Sequence, residues 1–216
     1  LQKKIDLPVC FLNIGGIANI TIIKNKKNLS ELFSRDIGPG NCLIDYWVRK
    51  NSDKKFDRDG LLAKSGNRNE IIFEQAQELY ANRNNKKKLS FDVNDFDISF
   101  VRGLNLEDGV ATLTDFSASI IGEKLDFLIK DSKLKIQKVL LCGGGRKNRV
   151  LIDKIRENLP SDIKLKNLDD LKINGDYIES QAFAFLAIRS ILKLPISFPN
   201  TTGCKMPCLG GDFIKN

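Results

Sequence analysis

The stretch KVLLCGGGRKNRVLIDKIRENLP, residues 138–160, constrains the fold more than any other part of the chain. KVLLC is a continuous apolar run without alternation, the pattern of a strand covered on both faces. Three glycines follow. Beyond them Val150, Leu151, Ile155 and Leu159 recur at helical spacing, and the pattern stops at Pro160. IKLKNL (163–168) then alternates and predicts a further strand. A strand, a helix and a second strand in this order make a parallel pair with a helical crossover.

The segment before it has a different rhythm. PVCFLNIGGIANITII (8–23) contains two β-rich runs broken by Gly15-Gly16, a hairpin signal, and LFSRDIG (32–38) supplies a third run. Three antiparallel strands in a meander follow from this. From Asn41 the period changes, with Leu43, Ile44, Trp47 and Val48 on one face of a helix over 41–50. KFDRDGLLAKSGNR (55–68) is polar, with a turn at Asp59-Gly60. Helices are predicted over 69–82 and within LEDGVATLTDFSASIIGEKLDFLIK, the latter capped by Thr114 or Asp115. Residues 84–110 read as loop with short helical turns. IESQAFAFLAIRSILKL (178–194) is apolar nearly all round, which predicts a buried helix. The whole reads as one α/β domain over 1–216. Its mixed sheet has three antiparallel and then two parallel strands, flanking helices, and a helical insert at about 60–135.

Composition narrows the function classes. The net charge is +8, but the basic clusters at 24–27 and 86–88 lie in Asn/Lys-rich stretches without interleaved aromatics. They predict solvated loop tips rather than a nucleic-acid platform. No apolar run approaches the ~18–20 residues needed to span a bilayer, and no basic-then-apolar leader opens the chain. Cys10, Cys42, Cys142, Cys204 and Cys208 are odd in number and match no common zinc spacing, and histidine is absent. The expectation is reduced thiols in the cytoplasm, no metal site, and acid/base chemistry carried by carboxylates. The chain opens at LQKKIDLP without an initiator methionine, which is the expectation for a piece of something longer.

Four places could carry chemistry, and each has a plainer reading. Gly143, Gly144 and Gly145 stand between a strand and a helix, where a ligand could approach the backbone and meet free N–H groups; a tight βα turn is the alternative. Asn13 and Gly15-Gly16, with Asn19 beyond, could form a small anion nest or a plain type I′ turn. Asp36 could be a base at a strand end or a helix cap, although GPG intervenes before the helix. Glu179 opens the apolar helix and is either ordinary first-turn electrostatics or a binding group beside a cleft.

Taken together, NIGGIANIT (13–21), DIGPGNCLIDYW (36–47), FDRDGLLAKSG (56–66), LCGGGRKN (141–148), YIESQAFAFLA (177–187) and TTG (201–203) resemble the anhydro-N-acetylmuramic acid kinase family. That family has the ribonuclease-H-like fold of the sugar kinase/Hsp70/actin superfamily. The resemblance implies transfer of the γ-phosphoryl of ATP, with Mg²⁺, to the 6-oxygen of 1,6-anhydro-N-acetylmuramic acid. Water opens the anhydro ring, and N-acetylmuramic acid 6-phosphate forms in cell-wall recycling. It makes Asp36 the base for the attacking water and Glu179 a sugar contact. It makes Asn13, Gly15, Gly16, Gly38, Gly143, Gly144, Gly145 and Asn148 nucleotide-side residues. It also implies a homodimer of the full-length protein, and places this chain as the C-terminal domain. The N-terminal domain with its Gly-Thr-Ser-rich phosphate loop is absent from this chain, so the expectation is a piece inactive alone. The alternatives are another sugar kinase of the same fold, such as an N-acetylhexosamine kinase, or a non-catalytic nucleotide-binding domain.

Overall fold

A computed structural model describes residues 5–25, 31–82, 90–212 and 214. The basic run 86–88, and residues 26 and 27 of the one at 24–27, lie outside the described residues. The meander is present as strands β1 (Val9–Ile14), β2 (Ile17–Ile23) and β3 (Phe33–Pro39). β4 (Lys138–Cys142) and β5 (Lys164–Asn167) complete one sheet in the order β3-β2-β1-β4-β5. β1–β2 and β2–β3 are antiparallel, and β1–β4 and β4–β5 are parallel. This is the mixed sheet the sequence predicts.

Between β3 and β4 run α1 (Cys42–Asn51), α2 (Leu61–Ser65), α3 (Glu70–Asn82) and α4 (Leu106–Asp131). Two short 3₁₀ turns at Val93–Asp95 and Ser99–Val101 occupy the aperiodic stretch. After β4 come α5 (Arg149–Glu157), α6 (Ile178–Ile191) and α7 (Pro199–Thr202).

α4 begins well before the predicted cap. Its cap is Asn105, whose side chain accepts the Asp108 amide at 2.8 Å. Thr114 and Asp115 lie inside the helix and are buried, and Asp115 faces Arg68 at 3.2 Å and Lys154 at 3.8 Å. Gly109, inside the helix, is the point where Trp47 crosses it. A Cβ there would stand 2.2 Å from Trp47 Nε1, which donates to the Leu106 carbonyl at 3.1 Å.

One side of α4 (Ala118, Ile121, Leu125) packs on Leu12, Ile14 and Ile20 of the sheet and on Leu151 and Ile155 of α5. Its other side (Leu113, Phe116, Ile120) joins α1, α2 and α3 in a second cluster around Trp47, Leu62 and Phe73. A helix sandwiched in this way is buried all round over residues 109–122. Thr112 Oγ1 and Ser119 Oγ turn back to the Asp108 and Phe116 carbonyls at 2.7 and 3.0 Å, whereas Thr114 Oγ1 and Ser117 Oγ are buried without a hydrogen-bond partner.

The apolar helix α6 reverses expectation, since none of its residues is buried. Phe183 is 65% exposed and Ile188 56%. Its first residue, Ile178, packs beside Leu140 and Leu168 near β4 and β5, and α7 beyond it lies against β3. α6 therefore carries the chain from one edge of the sheet to the other, and among its described residues only Ile178, Leu186, Arg189 and Ser190 are partly covered. Apolar composition records a tendency to be covered, which the described residues leave largely unmet at α6.

Candidate functional site

β1, β3 and β4 run in the same direction, so their carboxyl ends share one edge of the sheet. Ligands of open α/β sheets sit beyond such ends. The edge gathers three turns, at Asn13–Gly16, Gly38–Asn41 and Gly143–Asn148, far apart in sequence and adjacent in space.

The first two turns are stitched together. Gly16 O accepts the Gly40 and Cys42 amides at 2.9 and 3.1 Å, and Gly15 O accepts the Asn41 amide at 2.8 Å and Asn41 Nδ2 at 3.1 Å. A Cβ on Gly40 would stand 2.3 Å from Gly15 O, so glycine is what allows the approach. Two expectations change. Neither Gly15 nor Gly16 has a positive φ, so the hairpin is not a type I′ turn. The Gly15 amide bonds to the Ile17 carbonyl at 3.2 Å, and the Asn41 and Cys42 amides at the front of α1 are occupied by the hairpin.

The three glycines of the third turn serve different ends. Gly143 has φ +78°, and a Cβ there would meet Asn13 Oδ1 at 2.4 Å. A Cβ on Gly145 would meet Ile14 Cγ2 at 2.2 Å. Both are required by packing on β1. Gly144 has nothing within 4 Å of its would-be Cβ and opens onto a cavity. The chain then makes a short 3₁₀ turn over Gly144–Lys147, and α5 starts only after Asn148. Asn148 Oδ1 accepts the Leu151 amide at 3.0 Å, so the front of α5 is capped from within.

The cavity holds about 420 Å³ and is lined by Asn41, Ile44, Asp45, Phe56, Asp57, Arg58, Asp59, Gly144, Lys147 and Asn148. Its far wall is the FDRDG turn. Asp57 is buried, its carboxylate accepting the Leu62 and Ala63 amides at 2.8 and 3.1 Å and so capping α2. Asp59 (φ +57°) and Gly60 (φ +78°) bend the chain so closely over Asn148 that a Cβ on Gly60 would lie 2.4 Å from Asn148 Oδ1. Burial raises the Asp57 carboxyl against its two amide bonds. Burial also lifts Asp45 to about 6; Arg49 opposes the shift and Asp57 adds to it. Arg58 lies over the Phe56 ring at 5.7 Å.

The structure thus brings Asn13, Gly15, Gly16, Gly143, Gly144, Gly145 and Asn148 to one edge, and Gly144 and Asn148 to the cavity wall. Gly38 is buried beneath it, where a Cβ would stand 2.6 Å from Ile120 Cγ2 of α4. Asp36 is not in the cavity lining. β3 continues to Pro39, so Asp36 sits inside the strand, opposite Asn19 at a bulge, rather than at its end. Its Oδ2 accepts the Phe91 amide at 2.8 Å and Ser90 Oγ at 3.1 Å. Glu179 is exposed at the second position of α6 and does not line the cavity either. Cavity residues the sequence reading passed over are Asn41, Ile44, Asp45, Phe56, Asp57 and Arg58. FDRDG offered the available signal, an Asp-Gly turn with a second aspartate two positions earlier. The cysteines beside the site add no nucleophile: burial pushes the Cys142 and Cys42 thiols up to about 11.

The family model for anhydro-N-acetylmuramic acid kinase matches residues 2–215. The chain belongs to that family. Relatives bearing the family's name include proteins of Pelagibacter ubique, 53% identical over 215 residues, and Zymomonas mobilis, 36% identical over 206. These matches take in 100% and 94% of this chain, and 57% and 53% of the two relatives. The chain therefore spans little more than half the length of the anhydro-N-acetylmuramic acid kinases it matches. A solved structure, the activator of 2-hydroxyisocaproyl-CoA dehydratase from Clostridium difficile with bound ADPNP, aligns over 82% of this chain and 63% of its own. Its TM-score is 0.47 and its identity 15%, too distant to bear on the site.

Proposed function

We propose that this chain supplies the nucleotide side and the water-activating carboxylate of an anhydro-N-acetylmuramic acid kinase. Family membership supports the kinase reading, and the cavity opening beside Gly144 is the observation that carries it for these residues. Gly144 leaves room for a nucleotide against the backbone, with Lys147 and Arg58 at hand for its negative charge and the Phe56 ring for an apolar face. Phosphoryl transfer asks mainly for positioning and charge neutralisation. Among the described residues no group of three or more His, Cys, Asp or Glu is placed to hold a metal ion. Mg²⁺ enters the proposal as the counter-ion of the nucleotide phosphates.

In the reaction, water attacks the anomeric carbon and the bond from that carbon to the 6-oxygen breaks. The 6-oxygen attacks the γ-phosphorus, and ADP leaves. Asp36 takes the proton released by the water, on the face opposite the departing oxygen, as an inverting glycoside hydrolase does. The amide and hydroxyl on its Oδ2 hold the carboxylate in one orientation. Glu179 contacts the sugar, and the product is N-acetylmuramic acid 6-phosphate. The remaining length of the relatives supplies the rest of both binding sites and covers α6. The full-length enzyme is proposed to be a cytoplasmic homodimer; no helix among the described residues is long and apolar enough to cross a membrane.

The test is Asp36→Asn in this chain joined to the remainder of the Pelagibacter relative. Phosphoryl transfer to the anhydro sugar should fall at least 10³-fold while ATP still binds. Retained turnover, or ATP affinity lost together with turnover, would remove Asp36 from the role of base.

A further inference from the structure

Arg146 follows directly on the three glycines of the βα turn. The structure buries it, with 6% of the residue exposed. Nε and NH2 fork onto Asp169 at 2.6 and 3.1 Å, and NH1 donates to both the Gly143 carbonyl (2.8 Å) and Asp176 (2.7 Å). Asp176 also takes the Lys147 ammonium at 2.7 Å, and Lys147 lines the cavity. The segment 169–176 closes round the guanidinium. The Gly175 amide donates to Asp169 Oδ1 at 3.3 Å, and the Gly143 amide donates to the Gly175 carbonyl at 3.2 Å. A Cβ on Gly175 would stand 2.6 Å from Arg146 Nε. Asp176 lies two residues before the start of α6, and Glu179 is the second residue of that helix.

We propose that Arg146 is a positioning residue that locks the Gly143–Gly145 turn and the entrance of α6 into one rigid unit, so that one clamp places both the nucleotide turn and Glu179. The Gly143 carbonyl belongs to the turn and Asp176 to the entrance of α6, while Asp169 lies in the short 3₁₀ turn Leu168–Leu171 after β5, from which the chain runs on to Asp176. A planar guanidinium with both edges engaged holds angles as well as distances, which a lysine ammonium cannot reproduce. A buried arginine with fewer partners would be costly, so loss of any one partner should loosen the others. The two carboxylates gain from the same contact, since hydrogen bonds from Arg146 hold Asp169 low and hold Asp176 down to about 2. That the turn then receives ATP rests on the function proposed above.

Amide hydrogen exchange on the 216-residue chain tests the clamp without any ligand. In Arg146→Lys, and independently in Asp169→Asn, exchange at 143–145, 174–176 and the first turn of α6 should quicken together by 10-fold or more, while β4 and α5 keep their protection. Arg146→Ala should regain slow exchange in both segments when guanidinium ion is added at a low, non-denaturing concentration. Faster exchange at the turn alone, or uniform loss across the domain, would overturn the clamp. ATP titration of this chain joined to the remainder of the Pelagibacter relative is the separate arm. ATP binding by the joined protein, with affinity lowered 10-fold or more in Arg146→Lys and unchanged in Glu179→Gln, supports the link to the nucleotide. A correct exchange pattern without ATP binding by the joined protein would reject the nucleotide reading for this chain and leave the clamp standing.

Discussion

At the scale of single residues, the glycine triplet divides into positions that pack and a position that opens. Alanine at Gly145 would push a methyl into Ile14, so Gly145→Ala should cost about 1–3 kcal/mol, read as a lowered urea midpoint. Alanine at Gly144 meets nothing and should leave stability within about 0.5 kcal/mol, yet it narrows the cavity. ATP affinity should therefore fall in Gly144→Ala without a stability change; an equal loss of both would contradict this division of labour. Asp45 makes a second residue-scale case. Burial, against the pull of Arg49, raises its carboxyl from 3.8 to about 6. A raised folded-state value means its contribution to stability is fully present below pH ~4 and is lost as pH rises through 6. The two-unit shift would amount to ~3 kcal/mol, and solvent screening of this partly exposed group reduces it to about 1. Asp45→Asn should accordingly be more stable than wild type at pH 7 by that amount, with the gap closed at pH 4. Urea titrations at the two pH values measure it.

At the scale of elements, α4 and α6 exchange the roles their compositions suggest. α6 is the more apolar to read, yet α4, with its threonines and serines, is the helix the molecule is built around. Leu113→Ala in α4 should cost about 2–5 kcal/mol because the residue is fully buried between helices. Phe183→Ser and Ile188→Ser in α6 should each stay within about 0.5 kcal/mol in this chain, as measured by thermal and urea midpoints. A large loss in the α6 variants would mean that the helix is covered after all. The sequence conveyed the existence of both helices, because periodicity is local. Their burial was hidden, because it depends on which chain passes over them.

At the scale of the whole molecule, a domain spanning little more than half of its relatives is expected to hold half of each binding site. The 216-residue chain alone should release no phosphate in an ATP- and sugar-dependent way, and turnover should appear when the remainder of the Pelagibacter relative is supplied. Phe183→Ser/Ile188→Ser should block that recovery if the added part seats on α6. Phosphate transfer by the isolated chain would show that the described cavity and Asp36 suffice.

The sequence by itself determined the strand and helix order, the antiparallel-then-parallel sheet and the glycine turns at the carboxyl ends of its strands. These follow from periodicity and turn chemistry, which act over a few residues. Only the tertiary structure decided which glycines are spaces and which are contacts, since that depends on what lies opposite each missing Cβ. It also brought FDRDG to the far wall of the cavity and set Arg146 beneath the turn. Asp36, legible as an isolated carboxylate, acquired its orientation from residues 90 and 91, more than fifty positions away. Contacts of that separation leave no local pattern to read, because they form only once the sheet has gathered its strand ends.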